Sequence, residues 1–148
     1  MLIILWAITG AKAFTSTVTI TGGAVMTSTA TFTGSVLVSG PVNVNTVTLT
    51  DAASIASSFD DGNTFVVTLG GNRTLAAPSN GVTGQFVSIL IIQDGTGSRT
   101  VTFNAIYEFV GDTAPTLTGT ASKGDHFVFR YNGSKFIEVG RSLNLTLS

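Results

Sequence analysis

Residues 85–93 read QFVSILIIQ, and this is the most apolar of the strands that the sequence predicts. Phe, Val, Ile and Leu fill it without a regular alternation of apolar and polar positions. A strand with one face in water alternates, whereas a strand covered on both faces loses the alternation. The stretch therefore predicts a central strand of a β-sheet.

Shorter strands are predicted on both sides of it, bounded by Gly, Pro, Asn or Asp. They cover residues 64–69, 73–75, 100–103, 106–109, 125–131, 134–139 and 143–147. Asn132-Gly133 separates two alternating runs and predicts a tight hairpin in which both residues take positive φ. Because no helical periodicity competes with these strands, the predicted fold class is all-β.

The first third of the chain differs from the rest in its regular recurrence of Thr. From Phe14 to Thr50, Thr recurs at every second position in three runs, which predicts short strands with one hydroxyl face and one apolar face. The repetition is too loose to predict a solenoid. Residues 1–58 are therefore predicted to be an extended N-terminal arm with short Thr-rich strands, used for assembly and docking. Residues 59–148 are predicted to be a compact antiparallel β-sandwich or jelly-roll-like domain.

The composition favours an assembly of several chains. Hydrophobic residues make up 43% of the 148 residues and charged residues only 10%, with a net charge of −1. Few charges leave apolar surface that is best buried between subunits, although a surface of Thr, Ser, Asn and Gly is the alternative interpretation. The basic residues are scattered singly, which argues against nucleic-acid binding. The chain has no cysteine, so no disulfide framework is expected.

The N-terminus carries a separate apolar run, LIILWAI at residues 2–8. It is far shorter than the roughly 20 residues that span a bilayer, so no membrane segment is predicted. A cleaved signal ending near Ala11-Lys12-Ala13 is one alternative, but no Lys or Arg precedes the run. We interpret the run as an apolar docking arm, formed by Leu2, Ile3, Ile4, Leu5 and Trp6.

The inventory of reactive side chains predicts no enzyme. The single His126 lies beside Asp125, but no serine lies in a nucleophile-elbow motif. The Asp-Gly pairs are typical of turns and lack the EF-hand spacing. His126 could hold a metal only if three copies met around a threefold axis. We therefore predict no catalytic residue, no cofactor-binding residue and no metal site.

Several punctuated motifs in the second half resemble a module that recurs in bacteriophage tail-fibre and other virion structural proteins. The motifs keep one order between about residues 62 and 140. They are GNRTLAAP at 71–78, GQ at 84–85, IQDGTGSRTVTF at 92–103, GDTAPTLT at 111–118, Asp125, and YNGSK at 131–135.

This resemblance implies a β-structured component of the virion, expected as a homotrimer in contact with tail, portal or collar, or major capsid proteins. A tail-fibre role is the first expectation, and a decoration or cement protein of the head is the alternative. A second alternative is a module that binds a host surface glycan, with Tyr107, Tyr131 and Trp6 as stacking candidates. The predicted exposed loop tips are Asp94, Gly95, Thr96, Gly97, Asn132 and Gly133.

Overall fold

The structure, a computed structural model, describes residues 35–147. The chain divides into two units between Gly40 and Pro41, and every strand described below lies in the second unit, Pro41–Ser148. Six strands form one sheet in the order β1-β3-β5-β8-β9-β7. They are β1 (Thr46–Thr48), β3 (Thr64–Leu69), β5 (Phe86–Gln93), β7 (Tyr107–Glu108), β8 (Lys123–Tyr131) and β9 (Phe136–Thr146). A second sheet, in the order β2-β4-β6, holds β2 (Ser54–Ile55), β4 (Arg73–Leu75) and β6 (Val101–Phe103).

The first six strands alternate between the two sheets in chain order, so the chain winds around a shared interior. β1, β3 and β5 pair in parallel in the larger sheet, and β2, β4 and β6 pair in parallel in the smaller one. Parallel neighbours need a crossover connection, and here a strand of the opposite sheet takes the place of a crossover helix. Apart from these strands, the described residues contain one short 3₁₀ turn at Val110–Asp112. The all-β prediction is confirmed.

The pairing is mixed, whereas the sequence predicted an antiparallel domain. β8 runs antiparallel to β5 and β9 runs antiparallel to β8, but β7 joins β9 in parallel. The difference arises because strands that alternate between two sheets return to each sheet in the same direction. β5 lies between β3 and β8, as predicted for a central strand.

Both sheets contribute to a single apolar core. Phe65, Ile89 and Phe127 from the larger sheet and Ile55 and Leu75 from the smaller one are all fully buried in it. Fully burying such a side chain stabilises a fold by about 1.5–3 kcal/mol. This arrangement of two sheets around one core is compatible with the sandwich that was predicted.

Two strands lie on the N-terminal side of the predicted boundary after residue 58. β1 and β2 lie before that boundary, yet they pair with β3 and β4 and belong to the same unit as the rest of the sheets. Ile55 of β2 is also part of the core. The small residues from Asp51 to Ser58 are therefore a turn of the winding and not a linker between domains.

Candidate assembly surface

The predicted docking arm of Leu2, Ile3, Ile4, Leu5 and Trp6 lies outside the described residues, so it stays a prediction. Just before β1, Val42 and Val44 are exposed to solvent. Among the described residues, no helix is long and apolar enough to cross a bilayer.

The face of the six-stranded sheet that points away from the core is mixed, with Ser88, His126 and Arg130 beside a group of apolar side chains on β5. On β5, Phe86 is 54% exposed, and Leu90 and Ile92 on the same face are half-buried. The guanidinium carbon of Arg130 lies 6.0 Å from the Phe86 ring centroid, within the range of a cation–π contact. Because the other face of β5 fills the core, an apolar outer face explains why this strand shows no alternation. Partly exposed apolar side chains grouped in this way are typical of contact surfaces.

One edge of the six-stranded sheet is open along residues 138–146, which we call the β9 edge. β8 pairs along one side of β9, while β7 covers the other side only at Phe136 and Ile137. No other strand pairs with the β9 edge within the described residues. Val139 and Leu143 on this edge are exposed. Two bulges, one near Val139 and one near Asn144, interrupt the register with β8.

Glu138 is buried at the start of the β9 edge. Its side chain is 4% exposed, and Arg141 Nε lies 3.3 Å from its Oε1 atom, within ion-pair distance. Oε1 nevertheless accepts no hydrogen bond from the described residues. A small cavity of about 190 Å³ adjoins it, lined by Val110, Glu138, Val139, Gly140 and Arg141. A buried carboxylate oxygen without a donor is uncommon, because leaving it unsatisfied costs about 1–3 kcal/mol.

The loop after β5 is held by one carboxylate. Asp94 Oδ1 accepts the Thr96 and Gly97 amides at 3.0 and 2.8 Å, and Oδ2 accepts Arg99 Nε and Nη2 at 3.1 and 2.8 Å. These hydrogen bonds, chiefly the one from Arg99, lower the pKa of Asp94. Of the predicted tip residues, Gly95 and Thr96 are exposed, Asp94 is half-buried and Gly97 is buried. Gly97 therefore lies inside the loop and not at its tip.

The second predicted tip, at Asn132 and Gly133, is exposed. Its geometry differs from the predicted two-residue hairpin, because only Gly133 takes positive φ (100°). The loop has four residues, and Asn132 Oδ1 accepts the amides of Ser134 and Lys135 at 2.9 and 2.7 Å. These two hydrogen bonds close the loop, so a positive φ at Asn132 is not needed.

A second arginine–carboxylate pair joins two turns of the winding. It links the residues before β2 to the first residue of β4. Arg73 donates to both carboxylate oxygens of Asp51, at 2.7 Å from Nε and 2.6 Å from Nη2. The Gly70 amide also donates to Asp51 Oδ2 at 3.2 Å. The Arg73 hydrogen bonds are the main reason that the pKa of Asp51 is lowered.

Asp125 and His126 do not form a catalytic pair. Asp125 is 2% exposed, and its two oxygens accept the backbone amides of Thr118 at 2.6 Å and Asn144 at 2.9 Å. His126 follows on the same strand, so its side chain points to the opposite face, where it is half-buried. The carboxylate therefore braces the loop before β8 and the second bulge of β9, and it is turned away from the imidazole. Within residues 35–147, no cluster of three or more His, Asp or Glu side chains could hold a metal ion.

Two of the glycan-stacking candidates are described. Tyr107 is buried in the core, where burial raises the pKa of its phenol and its hydroxyl donates to the Ala76 carbonyl at 3.3 Å. It is not available for stacking. Tyr131 is half-buried and its ring lies on Phe136, with 4.3 Å between centroids.

An open groove of about 390 Å³ runs along the outer edge of β6. Threonines and Arg99 supply its polar atoms, and Phe103, Pro115 and Leu117 supply its apolar ones. Neither this groove nor the β9 edge was identified from the sequence. For the β9 edge, the opposite charges of Glu138 and Arg141 were the one indication in the sequence. On a regular strand, however, two residues three positions apart point to opposite faces. The bulge at Val139 brings them together.

A comparison with known protein families matches residues 48–123, slightly more than half of the chain. A search of curated proteins and a search of solved structures each found no match. The matched residues run from the last residue of β1 to the first of β8 and so include all of the parallel winding except the first two residues of β1. The chain therefore belongs to the family described as "Putative phage tail fibre C-terminal domain", and is a bacteriophage tail-fibre-like structural protein.

Proposed function

We propose that the chain is a non-enzymatic component of a phage tail fibre that works by self-association, as a homotrimer, and by docking to neighbouring virion proteins. Its family gives it a structural role in the phage tail and associates it with the virion. The observation that carries the proposal is the group of apolar side chains on the outer face of β5, Phe86, Leu90 and Ile92. With 10% charged residues, the chain has little charge to keep such faces apart.

The mass of the purified full-length protein in solution tests self-association. Light scattering during size-exclusion chromatography, repeated over a range of concentrations, should give three times the mass of one chain, or a multiple of that mass. A monomer at every concentration overturns the proposal, and a stable number of chains that is not divisible by three overturns the threefold arrangement alone. Phe86→Ser should weaken association at least about tenfold, because it removes the most exposed side chain of the face. Val82→Ser, at an exposed loop position away from the strands, is the matched control.

Location on the particle separates a fibre from a head decoration protein. Antibody labelling of intact particles in electron microscopy should place the protein on the tail, in a few copies. Labelling over the whole head, in hundreds of copies, would support the decoration alternative instead.

Glycan recognition is a second candidate, favoured by the β6 groove. Hydroxyls of Thr100, Thr102 and Thr116 and the Arg99 guanidinium line it, which suits the many hydroxyls of a sugar. Phe103 adds an aromatic ring, although it also packs 4.9 Å from Phe109. Binding of the full chain to a bacterial glycan array, lost in Thr102→Val, would support this role. No binding at millimolar glycan would contradict it.

A further inference from the structure

We propose that the β9 edge is a contact between two copies of this chain, in which two β9 strands run antiparallel and each Glu138 meets the partner's Arg141. The proposal rests on the self-association proposed above and names one surface that carries it. Its symmetry is twofold, so it joins chains in pairs or joins two threefold assemblies to each other.

The backbone of the β9 edge supports pairing with another strand. Beyond Ile137 the outer amide and carbonyl groups of β9 have no strand partner among the described residues. Open edges are templates for further strands, and native proteins usually cover, shorten or charge them. β9 has 11 residues and is the longest strand in the described part of the chain, so its edge is not a short one.

The chain's own β7 cannot extend along this edge. After Glu108 the backbone turns away through the 3₁₀ turn at Val110–Asp112, where Gly111 and Asp112 take positive φ. Val110 at the turn is 79% exposed and lines the cavity next to Glu138. No part of the described residues 35–147 therefore pairs with the edge beyond this point, and an incoming strand would also cover Val110 and Val139.

Glu138 indicates which chemistry the partner should bring. Its Oε1 atom is buried and lacks a hydrogen-bond donor, although Arg141 of the same chain lies at ion-pair distance. A guanidinium that approaches from outside can supply the missing N–H groups, since it carries five donors. Arg141 is about one third exposed, so part of its guanidinium faces solvent and can reach a second chain.

The charge order along the strand favours a second copy as the occupant. Glu138 and Arg141 carry opposite charges on either side of Gly140. A copy that runs antiparallel and is centred near Gly140 reverses this order, so each acid lies beside the partner's base. Gly140 leaves open space where a side chain would otherwise stand. Opposite charges across paired strands are favourable, and like charges are unfavourable.

Cysteine cross-linking tests the contact directly, because the chain has no native cysteine. Val139→Cys and Gly140→Cys place thiols beside the proposed twofold axis, where antiparallel neighbours come within disulfide reach. Mild oxidation of at least one of them should convert nearly all chains to dimers. Thr96→Cys, exposed in the loop after β5, is the control and should stay monomeric on a denaturing gel. If this strand surrounded a threefold axis, cross-linking would stop at two chains in three, which would overturn the antiparallel pairing.

Complementary charge variants separate a contact between chains from a contact within one chain. Glu138→Arg gives a chain with two bases on the edge, and Arg141→Glu gives a chain with two acids. Each variant alone should associate through this edge at least about tenfold more weakly than the wild type. An equimolar mixture should form mixed pairs, detected by tagging one variant. A purely intrachain role predicts that mixing restores nothing.

The outcomes distinguish this inference from the proposed function. If the wild type self-associates but neither cysteine variant cross-links, the β9 contact is wrong and self-association stands. If the wild type is a monomer at every concentration, both proposals fail.

Discussion

At the corners of the winding, single carboxylates hold the loops in place by accepting several hydrogen bonds each. Asp51 and Asp94 each accept a two-pronged hydrogen bond from an arginine and one or two backbone amides. The sequence predicted the Asp94 turn, because Asp and Gly favour such loops. It could not predict the Asp51–Arg73 pair, because those residues are 22 positions apart and meet only after two turns have stacked.

Gly97→Ala should destabilise the protein by about 2–4 kcal/mol. Gly97 has a φ of +74°, and a Cβ there would lie 2.6 Å from the Gly119 carbonyl oxygen and 2.8 Å from the Ala121 amide nitrogen. Both are backbone atoms that cannot swing aside. The free energy of unfolding from urea titration measures the effect. Gly95→Ala is the control, since a Cβ there meets no atom within 4 Å; equal effects at the two sites would contradict this packing.

Asp51→Asn should make folding stability less sensitive to acid. The folded-state pKa of Asp51 is lowered, mainly by Arg73, so the wild type gains stability above the ordinary pKa of 3.8. That gain is lost as pH falls through the lower folded-state pKa. Urea titrations at about pH 6 and about pH 3 should therefore differ less for Asp51→Asn than for the wild type. Thr50→Ser, at the exposed position next to Asp51, changes no titrating group and should leave the difference unchanged.

Among whole strands, type and position were easier to predict than pairing. The apolar stretch at residues 85–93 is the central strand β5, as its missing alternation indicated. The sequence analysis expected both faces of this strand to be covered. One face does fill the core, but the other is an outer surface that carries Phe86, Leu90 and Ile92. The bulges of β9 were not predicted, since nothing local marks them. The amide of Asn144, at the second bulge, is bound by Asp125 from the neighbouring strand.

Asp125→Ala should destabilise the fold by about 1–3 kcal/mol, because it leaves the backbone amides of Thr118 and Asn144 without their acceptor. Asp125→Asn should lie between the wild type and Asp125→Ala, since an amide side chain has one acceptor oxygen where the carboxylate has two. Denaturant midpoints of the three proteins give the order. His126→Gln, next to it but on the opposite face, should change stability by less than about 0.5 kcal/mol. A large loss in His126→Gln with none in Asp125→Ala would contradict the bracing role.

For the molecule as a whole, the all-β class could be predicted from alternation alone, but the winding could not. In the larger sheet Thr46 pairs with Thr64, 18 residues on, and Thr64 pairs with Ser88, 24 residues on. Turns of unequal length blur any sequence period. The connector from Asp51 to Ser58 looked like a boundary because its residues are small, yet Ile55 within it reaches the core.

Two fragments test where the folding unit begins. Residues 41–148 should unfold in one cooperative transition, because they contain the whole core cluster. Residues 59–148 lack the buried Leu49 and Ile55 and two pairing strands, so they should be at least about 4 kcal/mol less stable, or unfolded. Thermal unfolding followed by circular dichroism compares them. Equal stability would restore the boundary after residue 58.

The parallel winding also determines how such a protein can change in length. β1 pairs only with β3 among the described strands, so its other side can receive one more turn from upstream. Neighbouring strands lie about 4.8 Å apart, and a duplicated turn would therefore lengthen the body by about that much without altering the register behind it. A shaft built in this way grows by small, uniform increments, while the β8–β9 hairpin closes its far end unchanged.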